Sequence, residues 1–323
     1  MRKRFADLSQ EDIAYIKLRY KEAHNEEKYK EAIQYELANK FDVVPRTIRS
    51  WAKKLGVVNP PTKESNHNAK ILVFDIETSP IQAFVWSLWK QNVSTQAIID
   101  DWFMLTWSAK WLFEDEIMSD RLTGKEALEK NDKRIVQSLR DLLDEADIVI
   151  AHNGQKFDIK KLNTRILMND IKQYSPFQMI DTLLHARKQL AFSSNKLDYL
   201  GEQLGVGRKV AHQGFEMWER CYNGEDQALI EMEEYNKGDV TLLEDVYLKL
   251  RSYIKPHPNL GLFINDDTEV CPACGSDDLE FGGTYATSVN TYQAYRCKCC
   301  DSQGRSRKSS SIGKSNLIAP IAR

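Results

Sequence analysis

Ile71-Leu72-Val73-Phe74-Asp75-Ile76-Glu77-Thr78 is the stretch on which the reading of this sequence turns. Its first four residues are apolar and read as a short strand buried on both faces, and the strand ends in two acids. Alternation puts residues 75 and 77 on one face, their Cα atoms roughly 6.5 to 7 Å apart, so both carboxylates can converge on a hard cation. Two acids at the tip of an apolar strand call for a compensating charge, which a metal ion or a Lys or Arg partner would supply.

Outward from that strand the pattern alternates. Ala83–Trp86 and Met104–Leu112 are expected to continue the sheet, Lys125–Glu145 and Lys156–Met168 to be helices, and Ile148–Ala151 and Gln178–Asp181 to be buried strands. The remainder to Tyr253 reads as mostly helical. Asp158 follows the buried strand Ile148–Ala151 through Asn153-Gly154-Gln155-Lys156-Phe157, near the carboxyl end of a strand where open α/β sheets build their sites. Tyr235 and Asp239 stand i, i+4 in a helical stretch, one turn apart on one face. The pattern predicts an α/β fold with a mixed sheet flanked by helices. Trp86, Trp89, Trp102, Trp107 and Trp111 are read as core packing sooner than as a base-stacking platform, with one or two left able to stack on bases.

At 323 residues the chain is too short for a replicative polymerase and long enough for two or three domains. With 42% hydrophobic and 28% charged residues it is globular in composition, and no apolar run could span a bilayer. Met1-Arg2-Lys3-Arg4 is followed by no apolar signal region, so the expected location is the cytoplasm, or the host cytoplasm for a viral chain. The net charge of -2 averages a +4 segment up to Glu64, a -6 segment from Ser65 to Asn265 and a +6 end from Arg296. Basic ends around an acidic middle suit a chain that grips a polyanion at its termini and holds cations centrally.

Residues 1–57 read as a helix-turn-helix domain in which Pro45 opens a second helix burying Ile48, Trp51 and Leu55. Arg46, Arg49 and Lys53 lie on its other side as candidate nucleic-acid contacts. Residues 58–69 form a Pro/Asn/Ser linker, 70–256 the α/β domain, 257–269 a second linker, 270–308 a cysteine-rich module and 309–323 a tail. Five of the six cysteines fall between Cys271 and Cys300. Cys271-x2-Cys274 and Cys297-x2-Cys300, 22 residues apart, have the spacing of a zinc ribbon holding one structural Zn²⁺, Cys300 being preferred over Cys299 as the fourth ligand. Cys221 reads as a buried small hydrophobe.

Phe74-Asp75-Ile76-Glu77-Thr78, His152-Asn153-Gly154 through Phe157-Asp158, and Tyr235 with Asp239 together resemble the motifs of the DEDD exonuclease superfamily, the RNase H-like proofreading nucleases, in its Tyr-bearing branch. The resemblance covers about Lys70 to Lys255, and no polymerase domain follows it in this chain. It implies an RNase H-like fold and 3′-to-5′ hydrolysis of a phosphodiester bond with two Mg²⁺ or Mn²⁺ ions. Asp75 would bridge both ions, Glu77 and Asp239 would hold the water-activating ion, Asp158 would hold the other, and Tyr235 would orient the attacking water. Thr78 and Asn153 would touch the terminal nucleotide; Phe157 would stack near it or pack the core, and Asp181 would support the site or cap a helix. DNA is the expected substrate and nucleic acid the expected partner, with a replication or repair protein as a further partner. RNA hydrolysis at the same site, a transposase, and a DNA-binding regulator with a silent core are the alternatives.

Overall fold

The computed structural model describes residues 7–23, 30–43, 47–48, 51–52, 55, 69–90, 92–210, 214–264 and 268–310. The chain divides into two compact units, Met1–Asn66 and His67–Arg323.

In the first unit, α1 (Gln10–Ala23) opens on a reciprocal cap, Ser9 and Asp12 each accepting the other's backbone N–H at 3.0 Å. It packs on α2 (Lys30–Phe41) through Ile16 and Leu37, both fully buried. Ile48 and Trp51 join that core and Leu55 packs at its edge, as their spacing predicts; Trp51 meets Phe41 edge-on at 5.7 Å. Arg46, Arg49 and Lys53 lie outside the described residues.

The second unit is a mixed α/β domain with the sheet order β5-β4-β1-β6-β7. β1 (Ile71–Thr78) is central, antiparallel to β4 (Met104–Trp111) and parallel to β6 (Ile148–Ala151). β5 (Met118–Arg121) and β7 (Gln178–Asp181) form the edges. The period-two rule explains why the first four residues of β1 are all apolar: Leu72, Phe74 and Ile76 enter one core, Ile71 and Val73 the other. Helices α4 (Lys133–Asp144), α5 (Asp158–Met168) and α8 (Phe215–Tyr222) cover the first core, with the N-terminal half of α9 (Asp226–Leu250). The second is covered by α6 (Thr182–Gln189), α7 (Leu197–Gln203) and the C-terminal half of the 25-residue α9. This is the mixed, helix-flanked, RNase H-like architecture expected from the sequence.

Three local expectations fail. The helix expected over Lys125–Glu145 is two helices, α3 (Gly124–Leu128) and α4, because Lys130 turns through φ 52° and Asp132 spends its carboxylate on Arg165 and the Met104 N–H. The strand expected over Ala83–Trp86 shrinks to β2 (Gln82–Ala83), which pairs with β3 (Ile98–Asp100) apart from the main sheet. The tryptophans divide: Trp107 is buried and Trp102 and Trp111 half-buried, whereas Trp86 and Trp89 are exposed and not core.

After α9 the chain makes a short turn at Leu260–Phe263, whose Leu260 is buried in the second core and donates its N–H to the Pro272 carbonyl. β8 (Leu279–Ala286), β9 (Thr291–Cys297) and β10 (Gln303–Ser309) then form an antiparallel three-strand sheet in the order β10-β9-β8. Among the described residues no helix is long and apolar enough to cross a membrane.

Candidate metal centre

β1 delivers Asp75 and Glu77 to the same face, and its register against β4 shifts between Glu77 and Thr78, a bulge at the strand's acidic tip. α9 brings Tyr235, Asn236 and Asp239 across that tip, Tyr235 and Asp239 one turn apart. One carboxylate oxygen from each of Asp75, Glu77 and Asp239 lies within 4.8 Å of the others, a spacing that could hold an ion. Asp158, the first residue of α5, adjoins them from the carboxyl end of β6, its Oδ1 accepting the Ile76 N–H at 3.2 Å. An acid in the first helical turn also faces the favourable end of the helix dipole.

Burial and crowding raise the pKa values of three of these acids, Asp75, Glu77 and Asp158. Burial, then the Asp158, Glu77 and Asp239 charges, raises the Asp75 pKa well above the usual carboxylate range. Burial and Asp239 push Glu77 up to about 8, although Trp218 hydrogen-bonds it. Burial raises Asp158 to about 7 against the pull of its own and the Ile76 N–H donors. Carboxylates so placed are short of counter-charge, and an all-oxygen donor set is what hard divalent ions such as Mg²⁺ and Mn²⁺ take.

Lys209 supplies part of that charge and was not legible in the sequence. Its Nζ donates to Asp239 Oδ2 at 2.6 Å and to the Tyr235 hydroxyl at 3.0 Å. Burial works against this ammonium, yet Asp239 and Tyr235 outweigh it and hold its pKa above the ordinary lysine value. Burial, then Asp239, raises Tyr235 to about 12, so the phenol stays protonated at neutral pH. Asn236 donates to Asp75 Oδ2 at 2.7 Å; its i, i+3 spacing from Asp239 was the available signal.

The neighbouring motif residues have visible local roles. Asn153 turns through φ 68° and donates its N–H to Asp181, while Gly154 sits where a Cβ would fall 2.4 Å from Met179. Asp181 caps α6 through Leu184 and also accepts from Gln155. Both ring nitrogens of His152 are engaged, on Thr182 and the Asn195 carbonyl, and burial lowers its pKa to about 4. Phe157 is 38% exposed at the lip instead of in the core. Thr78 Oγ1 accepts from Lys161 Nζ at 3.2 Å.

A second cluster gathers the Cys271, Cys274, Cys297 and Cys300 thiols, with Sγ–Sγ distances of 3.6 Å for the Cys271–Cys300 and Cys274–Cys297 pairs. Tetrahedral zinc with Zn–S of ~2.3 Å sets its sulfurs roughly 3.8 Å apart, so the cluster fits a zinc ribbon. Cys299 is exposed and outside this set. Cys221 is buried.

Residues 112–251 match a family model described as the RNase_H superfamily. The matched range contains Asp158, Tyr235 and Asp239 and begins after the strand that carries Asp75 and Glu77. No curated protein matches the chain in sequence. Among solved structures, the family B DNA polymerase from the hyperthermophilic archaeon Pyrobaculum calidifontis is similar at 16% identity and a TM-score of 0.42, over 56% of this chain and 24% of that one. The chain therefore spans about a quarter of that polymerase's length.

Proposed function

We propose that the chain is a metal-dependent 3′-to-5′ exonuclease acting on DNA. The observation that carries this reading is the convergence of Asp75, Glu77 and Asp239 on one point, their oxygens within 4.8 Å, with Asp158 adjoining and the pKa values of Asp75, Glu77 and Asp158 raised. In this reading Asp75, Glu77 and Asp239 would hold one Mg²⁺ or Mn²⁺, and Asp158 with Asp75 would hold a second. When bound, such ions would activate a water and stabilise the leaving oxygen of the scissile phosphodiester.

The chain's own groups then position the reactants. Tyr235 carries a neutral phenol, which suits it to orient a water by hydrogen bonding and not to accept its proton. Lys209 donates to the phenol oxygen, which turns the Tyr235 hydrogen away from the ammonium. Thr78, Asn153 and Phe157 are the proposed contacts for the terminal nucleotide. The N-terminal unit, with Arg46, Arg49 and Lys53, is proposed as a helix-turn-helix grip on DNA, and the zinc ribbon as a further grip on DNA or on a replication or repair protein.

The test is incubation of the full chain with end-labelled single-stranded DNA, duplex DNA and RNA, in Mg²⁺, Mn²⁺ or EDTA, beside Asp75→Ala. A ladder shortening from the 3′ end of DNA, present only with metal and absent in the variant, is the expected result. Nicking within a closed circle, or faster loss of RNA, would replace the reading.

A further inference from the structure

Beyond Thr78 the chain leaves the sheet on a two-stranded stalk, Gln82–Ala83 against Ile98–Asp100, closed by the Phe84 N–H on the Ala97 carbonyl at 2.9 Å. The Tyr222 hydroxyl reaches both strands of the stalk, at Gln82 and Asp100. The loop above carries Phe84, Trp86, Leu88 and Trp89 at 76, 102, 87 and 84% exposure. A contiguous group of large apolar side chains left in water marks an interaction surface.

Two observations select its occupant. From Ser79 to Ile99 the sequence has no Asp or Glu and one cation, Lys90, although the segment around it carries a net charge of -6. A polyanion meets no repulsion from this loop. At the foot of the stalk lies Trp102, with Lys161 Nζ 3.8 Å above its ring centroid; the same ammonium is 5.2 Å from the Phe157 ring centroid and donates to Thr78. Thr78 closes the strand of Asp75 and Glu77, and Phe157 precedes Asp158. The loop is thus continuous in the chain with a lip of rings and an ammonium beside the acid cluster.

We propose that Trp86 and Trp89 stack on unpaired bases of a single-stranded nucleic acid whose 3′ end occupies the acid cluster. The proposal rests on the nuclease reading for the identity of that end. Indole faces stack on any base, so the contact gives affinity that grows with strand length and is indifferent to sequence.

The test separates the loop from the chemistry. Binding of fluorescein-labelled oligothymidylate is measured with no Mg²⁺ or Mn²⁺ added, and hydrolysis of the p-nitrophenyl ester of thymidine 5′-monophosphate, which offers the loop no second base, is measured in Mg²⁺. Trp86→Ala/Trp89→Ala is expected to raise the Kd for the oligonucleotide by about fivefold or more per ring while ester hydrolysis is unchanged. Trp86→Phe/Trp89→Phe, which keeps two stacking faces, is expected to hold most of the affinity. An alanine pair that binds the oligonucleotide like the wild type overturns the proposal and leaves the rings to a protein partner. A wild-type chain that binds without Mg²⁺ or Mn²⁺ yet never hydrolyses ester or oligonucleotide when they are added would sink the nuclease reading while the stacking surface stands.

Discussion

Asn236 donates its side-chain amide to Oδ2 of Asp75 at 2.7 Å, tying the long helix α9 to the tip of β1 across 161 residues of sequence. The contact fixes the carboxylate that the proposed reaction asks to bridge two ions. Groups that orient metal ligands typically contribute 10- to 100-fold in metal affinity. Asn236→Ala is therefore expected to weaken Mn²⁺ binding by about tenfold or more, read by titration of the full chain, with the circular dichroism spectrum retained. Unchanged Mn²⁺ affinity would show that Asp75 needs no such support.

Lys209 bridges Asp239 and Tyr235, and it is the cation contributed by a loop rather than by sheet or helix. Lys209→Met removes a positive charge from a site that already holds excess negative charge. The carboxylate pKa values are expected to climb further, and the pH at which the proposed hydrolysis reaches half its maximum to shift upward. Activity should fall by ~10- to 100-fold, the range for a group that orients the residues around a metal site. A pH–rate profile that keeps its midpoint would refute the electrostatic role.

The acid cluster also sets the direction of a pH dependence. Glu77 is raised from 4.5 to about 8 and Asp158 from 3.8 to about 7, so between those limits the folded chain holds protons that the unfolded chain has released. These groups stabilise the metal-free protein below about pH 4, and the contribution is lost as pH rises through about 7 to 8. In EDTA the Tm of the wild type should fall relative to that of Glu77→Gln across this interval, and Mg²⁺ should restore it most strongly at the upper end. A wild-type curve parallel to that of Glu77→Gln contradicts the raised value.

What could be read from the sequence was what depends on spacing along the chain. The apolar β1 with its alternating acids, the i, i+4 pair on α9 and the twin Cys-x2-Cys knuckles each announce a local geometry that neighbours merely complete. Lys209 was silent because its loop has no period and its partners lie 26 and 30 residues away. Trp86 and Trp89 were misplaced because aromatic content alone does not distinguish a core from a surface that another molecule covers. The break between α3 and α4 was missed because its cause, the burial of Asp132 against Arg165, is a tertiary contact.

The thiol cluster distinguishes its two candidate fourth ligands sharply. Cys300 lies in the cluster, whereas Cys299 is exposed. Cys300→Ser is expected to lose the zinc and Cys299→Ser to retain one equivalent, measured by atomic emission on dialysed protein. Leu260, buried in the second core, donates its N–H to the carbonyl of Pro272, inside the first Cys-x2-Cys knuckle, at 2.9 Å, which ties the cluster to that core. Chelation should therefore lower the Tm of the whole second unit and not merely unfold the ribbon.

Asp132 is fully buried, and its carboxylate accepts from Arg165 Nε at 2.6 Å, Arg165 Nη2 at 2.7 Å, Asn169 Nδ2 at 2.9 Å and the Met104 N–H at 2.9 Å. It thereby clamps α5, the helix that begins with Asp158, to the start of β4. Removing one partner of a buried pair strands the other charge at a cost of ~3–5 kcal/mol, while replacing both leaves no unpaired charge. Asp132→Ala and Arg165→Ala should each destabilise by about that amount in urea unfolding, and the double variant by less than the sum of the two. If the two effects simply add, the residues do not act as a pair, and α5 is held to β4 by the packing of Leu162 and Ile166 instead of by charge.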